Sequence, residues 1–123
     1  MEKKRILFVS QEIYPFLAKT EISHNARKLP QGTQENGKEI RIFTPRFGSI
    51  NERRHQLHEV IRLSGMNIII DDNDHPLIIK VASIPAARLQ VYFIDNDEFF
   101  KRKTNVADDK GADFSDNDER SMF

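Results

Sequence analysis

Residues 6–16, Ile-Leu-Phe-Val-Ser-Gln-Glu-Ile-Tyr-Pro-Phe, decide the fold of this 123-residue chain. The first four are consecutive apolar residues behind a charged segment, a pattern typical of a β-strand that is buried on both faces. Pro15 opposes a helix in the segment that follows, so residues 10–19 are predicted to form a loop. Such a strand is expected in a parallel sheet.

A helix and a second strand are predicted next. Residues 20–36 have a helical pattern, with Thr20 or Ser23 as the N-cap, and Pro30 within them predicts a kink or a break. Residues 39–44 alternate isoleucine with charged residues, which indicates a strand. Strand, helix and strand within 45 residues form a βαβ unit, whose two strands are expected to be parallel.

The middle of the chain has a different pattern, with β-rich runs too closely spaced for helices between them. Turn-forming residues separate the runs, at the spacing of β-hairpins. The four runs are residues 58–64, 66–71, 77–83 and 88–95. The sequence therefore predicts a parallel sheet that is interrupted by an antiparallel excursion.

The C-terminal residues predict the start of a helix. Asp116 is a suitable N-cap, and Glu119 follows three positions later, as in a capping box. The sequence ends at Phe123, about two helical turns further on. Helices that short are marginal without tertiary support, so we expect residues 1–123 to form a C-terminally incomplete domain.

Composition excludes several classes of protein. The 19 basic and 19 acidic residues balance, which argues against a nucleic-acid-binding protein. The absence of cysteine excludes disulfides and thiolate metal sites, and the arginines beside His55 and His58 disfavour a metal there. The apolar run behind the basic N-terminus is too short for a signal peptide or a membrane span. A cytoplasmic protein without membrane attachment is therefore expected.

The order and spacing of several stretches resemble the N-terminal half of the glycogen/starch synthase family. These stretches are residues 6–16, Lys19-Thr20, Leu29-Pro30, residues 37–50, residues 91–95 and residues 116–120. The resemblance implies a Rossmann-like N-terminal half of a two-domain, GT-B-type glycosyltransferase, with the antiparallel hairpin inserted. It also implies glucose transfer from ADP-glucose to an α-1,4-glucan, with no metal and no other cofactor.

The family resemblance also assigns candidate site residues. Lys19 and Thr20 match the start of a Lys-Thr-Gly-Gly loop that contacts the nucleotide-sugar donor in the family. Asn117 and Arg120 match a motif on the acceptor side of the cleft. No residue of this chain matches a catalytic residue, so the isolated chain is expected to be inactive.

Other interpretations of these residues remain open. Asn117 could simply cap the last helix, while Arg120 pairs with a neighbouring acid. Glu21 follows Thr20 where the family has glycine, and its carboxylate would repel a diphosphate. This difference favours the alternative of a non-catalytic glucan- or nucleotide-binding module. A receiver-like signalling domain is less favoured, because no acidic cluster or glycine-rich loop follows the first strand.

Overall fold

The structure is a computed structural model, and it describes residues 4–17, 20–84, 89–100, 102, 112 and 114–123. Along these residues, strands β1 to β6 span Arg5–Val9, Glu39–Pro45, His58–Glu59, Met66–Ile70, Asn73–Ile84 and Leu89–Asp95. Helices α1 to α4 span Glu21–Glu35, Glu52–His55, Asp97–Phe100 and Asn117–Met122. A single 3₁₀ turn, Ile61–Leu63, lies between β3 and β4.

The strands form one mixed sheet in the order β1-β2-β6-β5-β3, with β4 paired to another part of β5. β1, β2 and β6 are parallel, and α1 connects the first two. β5 is antiparallel to β6, β4 and β3. The predicted fold class, a Rossmann-like α/β unit with an antiparallel hairpin excursion, is therefore confirmed.

The core lies on one face of this sheet. Ile42, Val91 and Phe93 point to that face and are fully buried, and burial of each such side chain stabilises the fold by about 1.5–3 kcal/mol. Phe16, from the loop after β1, meets Phe93 edge to face with the ring centroids 5.0 Å apart. Ala26 of α1 is also buried in this cluster, so the loop and the helix together cover the sheet.

Helix α1 begins as predicted and continues where a break was expected. Thr20 is its N-cap and forms a reciprocal capping box with Ser23. Pro30 lies inside the helix, which nevertheless runs without interruption to Glu35. Pro30 is fully buried, so its packing in the interior compensates for the helical hydrogen bond that proline cannot donate.

The prediction that the first strand is buried on both faces was wrong. Leu7 and Val9 are 66% and 67% exposed, whereas Ile6 and Phe8 on the other face are partly buried. Among the described strands, β1 lies at one edge of the sheet, and the side chains of Leu7 and Val9 point to its more exposed face. The apolar run indicated a strand correctly, but it could not show which strand lies at the edge.

The excursion also differs in detail from the prediction. The turn between β4 and β5 is Asp71-Asp72, with φ values of 50° and 64°, so β5 begins at Asn73, earlier than the predicted run over residues 77–83. Two adjacent residues with positive φ suit the tight turns that join twisted antiparallel strands, and aspartate tolerates this region better than most residues. Of the strand predicted over residues 58–64, only β3 forms, and Ile61–Leu63 is a 3₁₀ turn.

Candidate functional site

A cleft of about 480 Å³ opens at the carboxyl ends of β1, β2 and β6. Ligands of open α/β sheets bind at this edge, because the loops that follow parallel strands converge there. The cleft is lined by backbone and side chains of Val9, Ser10, Gln11, Thr44, Pro45, Phe47, Ile94, Phe100, Asn117, Arg120, Ser121 and Phe123. Polar groups and aromatic rings therefore both contribute to its lining.

The two predicted acceptor-side residues lie together in this cleft and bind each other. Arg120 Nη1 donates a hydrogen bond to Asn117 Oδ1 at 2.7 Å, across one turn of α4. Arg120 is only 8% exposed, and its guanidinium carbon lies 5.3–5.7 Å from the ring centroids of Phe114, Phe100 and Phe47. Cation–π attraction at these distances offsets part of the cost of burying the charge.

The electrostatic environment of Arg120 is unusual for arginine. Burial and the nearby positive charge of Arg102 lower its pKa, and the carboxylate of Asp116 opposes this effect only in part. Arginine stays protonated in proteins, so the lowered pKa means that the cation is partly desolvated. A desolvated guanidinium gains more from a polar ligand than one in bulk water.

Helix α4 is held in place by an arginine from the end of α3. Arg102 binds the Asp116 carboxylate through both terminal nitrogens and also donates to the Glu98 carbonyl at 2.8 Å. Asp116 is the N-cap residue, as predicted, but its side chain caps no backbone N–H because Arg102 holds it. A Cβ at Gly48 would overlap the backbone of Arg102, so glycine allows the turn after β2 to approach this point.

A buried ion-pair network lies next to the cleft. The Asp95 carboxylate ends β6 and is fully buried, with Arg46 Nη2 at 3.0 Å and Lys80 Nζ at 2.9 Å. Lys80 also contacts Glu52 of α2 at 2.5 Å. Burial acts to lower the pKa of Lys80, but its two acidic partners together outweigh this and raise it. The network joins the excursion to the carboxyl edge of the parallel strands.

The two predicted donor-loop residues have different outcomes. Lys19 lies outside the described residues. Thr20 serves as the N-cap of α1, and its hydroxyl donates a hydrogen bond to Glu12 Oε2 at 2.7 Å. The Thr20 hydroxyl oxygen also accepts a hydrogen bond from the Ser23 main-chain N–H at 3.0 Å. Thr20 therefore has a structural role here, and a role in donor binding stays a prediction.

The sequence patterns did not identify several residues of the cleft wall. Phe47, Phe100 and Phe123 supply aromatic rings, and Ser10 and Gln11 supply polar groups. Ser10 and Gln11 could have been found by their position directly after β1, because ligands of such sheets collect there. The rings gave no comparable signal, since phenylalanine is as common in a core as in a binding site.

Other kinds of site find little support in the described part of the chain. Among the described residues, no three acidic or histidine side chains come together as a metal site would require. His55 belongs to α2 and packs against Phe16, and His58 belongs to β3. None of the described helices is both long and apolar enough to cross a membrane.

The fold matches that of an enzyme domain of known structure. The catalytic domain of starch synthase IV from Arabidopsis thaliana, bound to ADP and acarbose, superposes with a TM-score of 0.73 at 16% identity. The match covers 89% of this chain and 22% of that one. The fold that this match shows is thus of the GT-B type. A sequence profile of starch synthase catalytic domains matches residues 5–123, and the chain belongs to this family.

Sequence relatives agree with this assignment. Glycogen synthase of Chlorobium limicola is 35% identical over 120 residues, which are 97% of this chain and 24% of that protein. Glycogen synthase of Chlorobaculum tepidum is 36% identical over the same length, 25% of that protein. The chain therefore spans about a quarter of the length of these relatives.

Proposed function

We propose that this chain forms the acceptor side of a glycogen or starch synthase site and binds an α-1,4-glucan. The observation that carries the proposal is the cleft at the carboxyl ends of the parallel strands, in which Asn117 and Arg120 lie together. The donor in the complete reaction would be ADP-glucose. A cytoplasmic location belongs to the same proposal.

The chemistry of the cleft suits a glucan. Amide and guanidinium groups are directional partners for sugar hydroxyls, and Asn117 and Arg120 provide one of each. Among the aromatic residues that line the cleft, Phe123 is partly exposed and offers apolar surface for the C–H faces of the glucose rings. The Arg120–Asn117 hydrogen bond orients the amide before any ligand arrives, which reduces the entropic cost of binding.

Donor binding through the loop after β1 has weaker support. The Thr20 hydroxyl is bound to Glu12, and Glu21 adds a second carboxylate at the first position of α1. A helix N-terminus attracts phosphate, but two carboxylates beside it oppose a diphosphate. Lys19 is the residue on which donor contact at this loop would depend.

We do not expect these 123 residues alone to transfer glucose. They span about a quarter of the related synthases, and the family resemblance assigns no catalytic residue to them. Incubation with ADP-glucose and a maltooligosaccharide, followed by measurement of ADP release, tests this expectation. A turnover of about 1 per second or more, typical of enzymes, would refute it.

Glucan binding can be tested directly on the chain. Titration with maltoheptaose is expected to shift the amide resonances of Asn117, Arg120 and Phe47. Asn117→Ala should weaken binding about tenfold, since one hydrogen bond to a partly buried ligand is lost. Asn25→Ala, on the exposed face of α1, is the matched control and should leave the affinity unchanged. Resonance shifts confined to other parts of the chain would refute the proposed site.

A second candidate is a glucan-binding module without catalytic function. The binding of Thr20 to Glu12, with Glu21 beside it, favours this candidate because it leaves the donor loop acidic. The two candidates differ in whether ADP-glucose binds. Maltoheptaose binding without any ADP-glucose binding would support the module.

A further inference from the structure

The ion pair between Arg46 and Asp95 is more deeply buried than any other in the described part of the chain, and it does not line the cleft. Asp95 is 0% exposed and Arg46 is 5% exposed. The Arg46 main-chain N–H also donates to the Ile94 carbonyl at 2.9 Å, so the ends of β2 and β6 meet at this point. A role for the pair must therefore act through the elements that it joins.

Each partner of the pair is linked through neighbouring residues to an aromatic residue of the cleft wall. Arg46 immediately precedes Phe47. Asp95 immediately precedes Asn96, whose side-chain oxygen accepts from the Phe99 amide at 3.1 Å and so caps α3, the helix that carries Phe100. The Phe47 and Phe100 rings then meet edge to face, with centroids 5.8 Å apart.

These two rings pack against the guanidinium group of Arg120. Its guanidinium lies 5.7 Å from the Phe47 ring and 5.5 Å from the Phe100 ring. Arg120 in turn orients Asn117 through the 2.7 Å hydrogen bond. A continuous series of contacts thus leads from the buried ion pair to the polar groups that face the cleft.

The physical properties of the pair suit positioning better than stabilisation. Burying two charges costs about as much solvation as their attraction returns, so a buried ion pair is weak evidence for stability. Arg46 Nε and both Asp95 oxygens lack partners of good hydrogen-bond geometry among the described residues. Asp95 therefore depends on the two cations beside it, Arg46 and Lys80, and displacement of Arg46 would leave its charge poorly compensated.

We infer that Arg46 and Asp95 are positioning residues that fix Phe47 and Phe100 beneath Arg120 and thereby set the geometry of the cleft. The inference rests on the proposed glucan site for its functional meaning, although the geometry itself can be tested without a ligand.

The test uses the double variant Arg46→Met/Asp95→Asn, which removes both charges and leaves no buried carboxylate unpaired. Because three aromatic rings surround Arg120, its side-chain proton resonances should be shifted by ring currents in the wild-type chain. In the double variant this shift should decrease and the Phe47–Phe100 nuclear Overhauser contacts should weaken. Maltoheptaose affinity should fall about tenfold, the equivalent of one lost hydrogen bond.

Two further variants serve as a control and as a conservative comparison for the double variant. Glu52→Gln alters the same network at its far end and should leave the Arg120 resonances and the affinity unchanged. Arg46→Lys keeps the charge but loses the planar fork, so it should reduce the Arg120 shift less than the double variant does. Should the double variant fail to fold, Arg46→Lys provides the comparison.

Each outcome has a clear meaning. Arg120 resonances that stay unchanged in the folded double variant and in Arg46→Lys would overturn the inference. An equal change in Glu52→Gln would also overturn it, because the network would then act only through general stability. If the resonances change as expected but maltoheptaose binds neither wild type nor variant, the positioning role stands and the proposed glucan site fails.

Discussion

Arg102 binds the Asp116 carboxylate with two hydrogen bonds, from Nη1 to Oδ1 at 2.7 Å and from Nη2 to Oδ2 at 2.5 Å. Arg102 follows α3 by two residues and Asp116 is the N-cap of α4, so these bonds tie the C-terminal helix to the segment around α3. The helix carries both Asn117 and Arg120. The contact therefore helps to hold the helix that carries both polar residues of the cleft.

Replacing Arg102 with Met is expected to lower the free energy of unfolding by about 1–2 kcal/mol, because a charge-assisted fork in a partly exposed position is lost. Urea unfolding of the two proteins measures the difference. Arg53→Met, at an exposed position on α2, is the control and should change stability by less than about 0.5 kcal/mol. Equal effects of the two substitutions would show that the fork contributes nothing specific.

The contribution of the same pair should depend on pH. The Arg102 guanidinium lowers the pKa of Asp116 below its ordinary value of 3.8, mainly through the hydrogen bonds. A carboxyl group whose pKa is lowered by folding stabilises the fold above its unfolded pKa and stops doing so as the pH falls through the folded pKa. The stability difference between wild type and Arg102→Met should therefore shrink below about pH 4. A difference that stays constant down to pH 2 would contradict this.

His55 should make the chain less stable in mild acid. Burial against Phe16 and the positive charge of Arg54 lower its pKa below 6.5. The unfolded state then binds more protons than the folded state, so stability decreases as the pH falls through this range. His55→Gln should flatten the pH dependence of urea unfolding between pH 7 and pH 5. An unchanged pH dependence in His55→Gln would contradict this expectation.

Gly48 should tolerate no side chain. Because a Cβ there would overlap the Arg102 backbone, Gly48→Ala is expected to cost about 1–3 kcal/mol of unfolding free energy. Gly32→Ala is a matched control, since a Cβ at this position in α1 meets no atom within 4 Å. That substitution should stabilise the helix by about 0.5–1 kcal/mol. Opposite signs of the two effects in thermal or urea unfolding would confirm the prediction.

The donor loop gives a prediction about nucleotide binding. If ADP-glucose binds near Lys19, Lys19→Ala should weaken it about ten- to a hundredfold, the value of one charge-assisted contact. Glu21→Gly should strengthen it, because the change removes a repulsive carboxylate. Calorimetric titration measures both. An unchanged affinity in Glu21→Gly would show that the carboxylate is not the obstacle.

Sequence patterns predicted those parts of the fold that depend on local physics. Thr20 as a cap and the parallel strands around α1 follow from short-range chemistry, and the structure has them. The patterns could not show that Leu7 would be exposed or that Pro30 would be held inside a helix. Both outcomes depend on neighbours that are distant in sequence.

In the candidate site, too, some features could be predicted from the sequence and others could not. Asn117 and Arg120 were identified because they match a family motif, and the structure places them in one cleft. The contact of Arg120 with Phe47 and Phe100 could not be predicted, since those rings lie far from α4 in the sequence. Contacts between distant segments produce no hydrophobic periodicity that a sequence pattern could reveal.

The exposed outer strand has a practical consequence for the isolated chain. β1 presents Leu7 and Val9 to solvent, and among the described residues its main-chain groups pair with β2 on one side only. Flat apolar edges of this kind act as templates for strands of other molecules. Because the basic and acidic residues balance in number, little net repulsion keeps two copies apart near neutral pH. Concentration, more than temperature, should therefore limit how long the purified chain stays monodisperse.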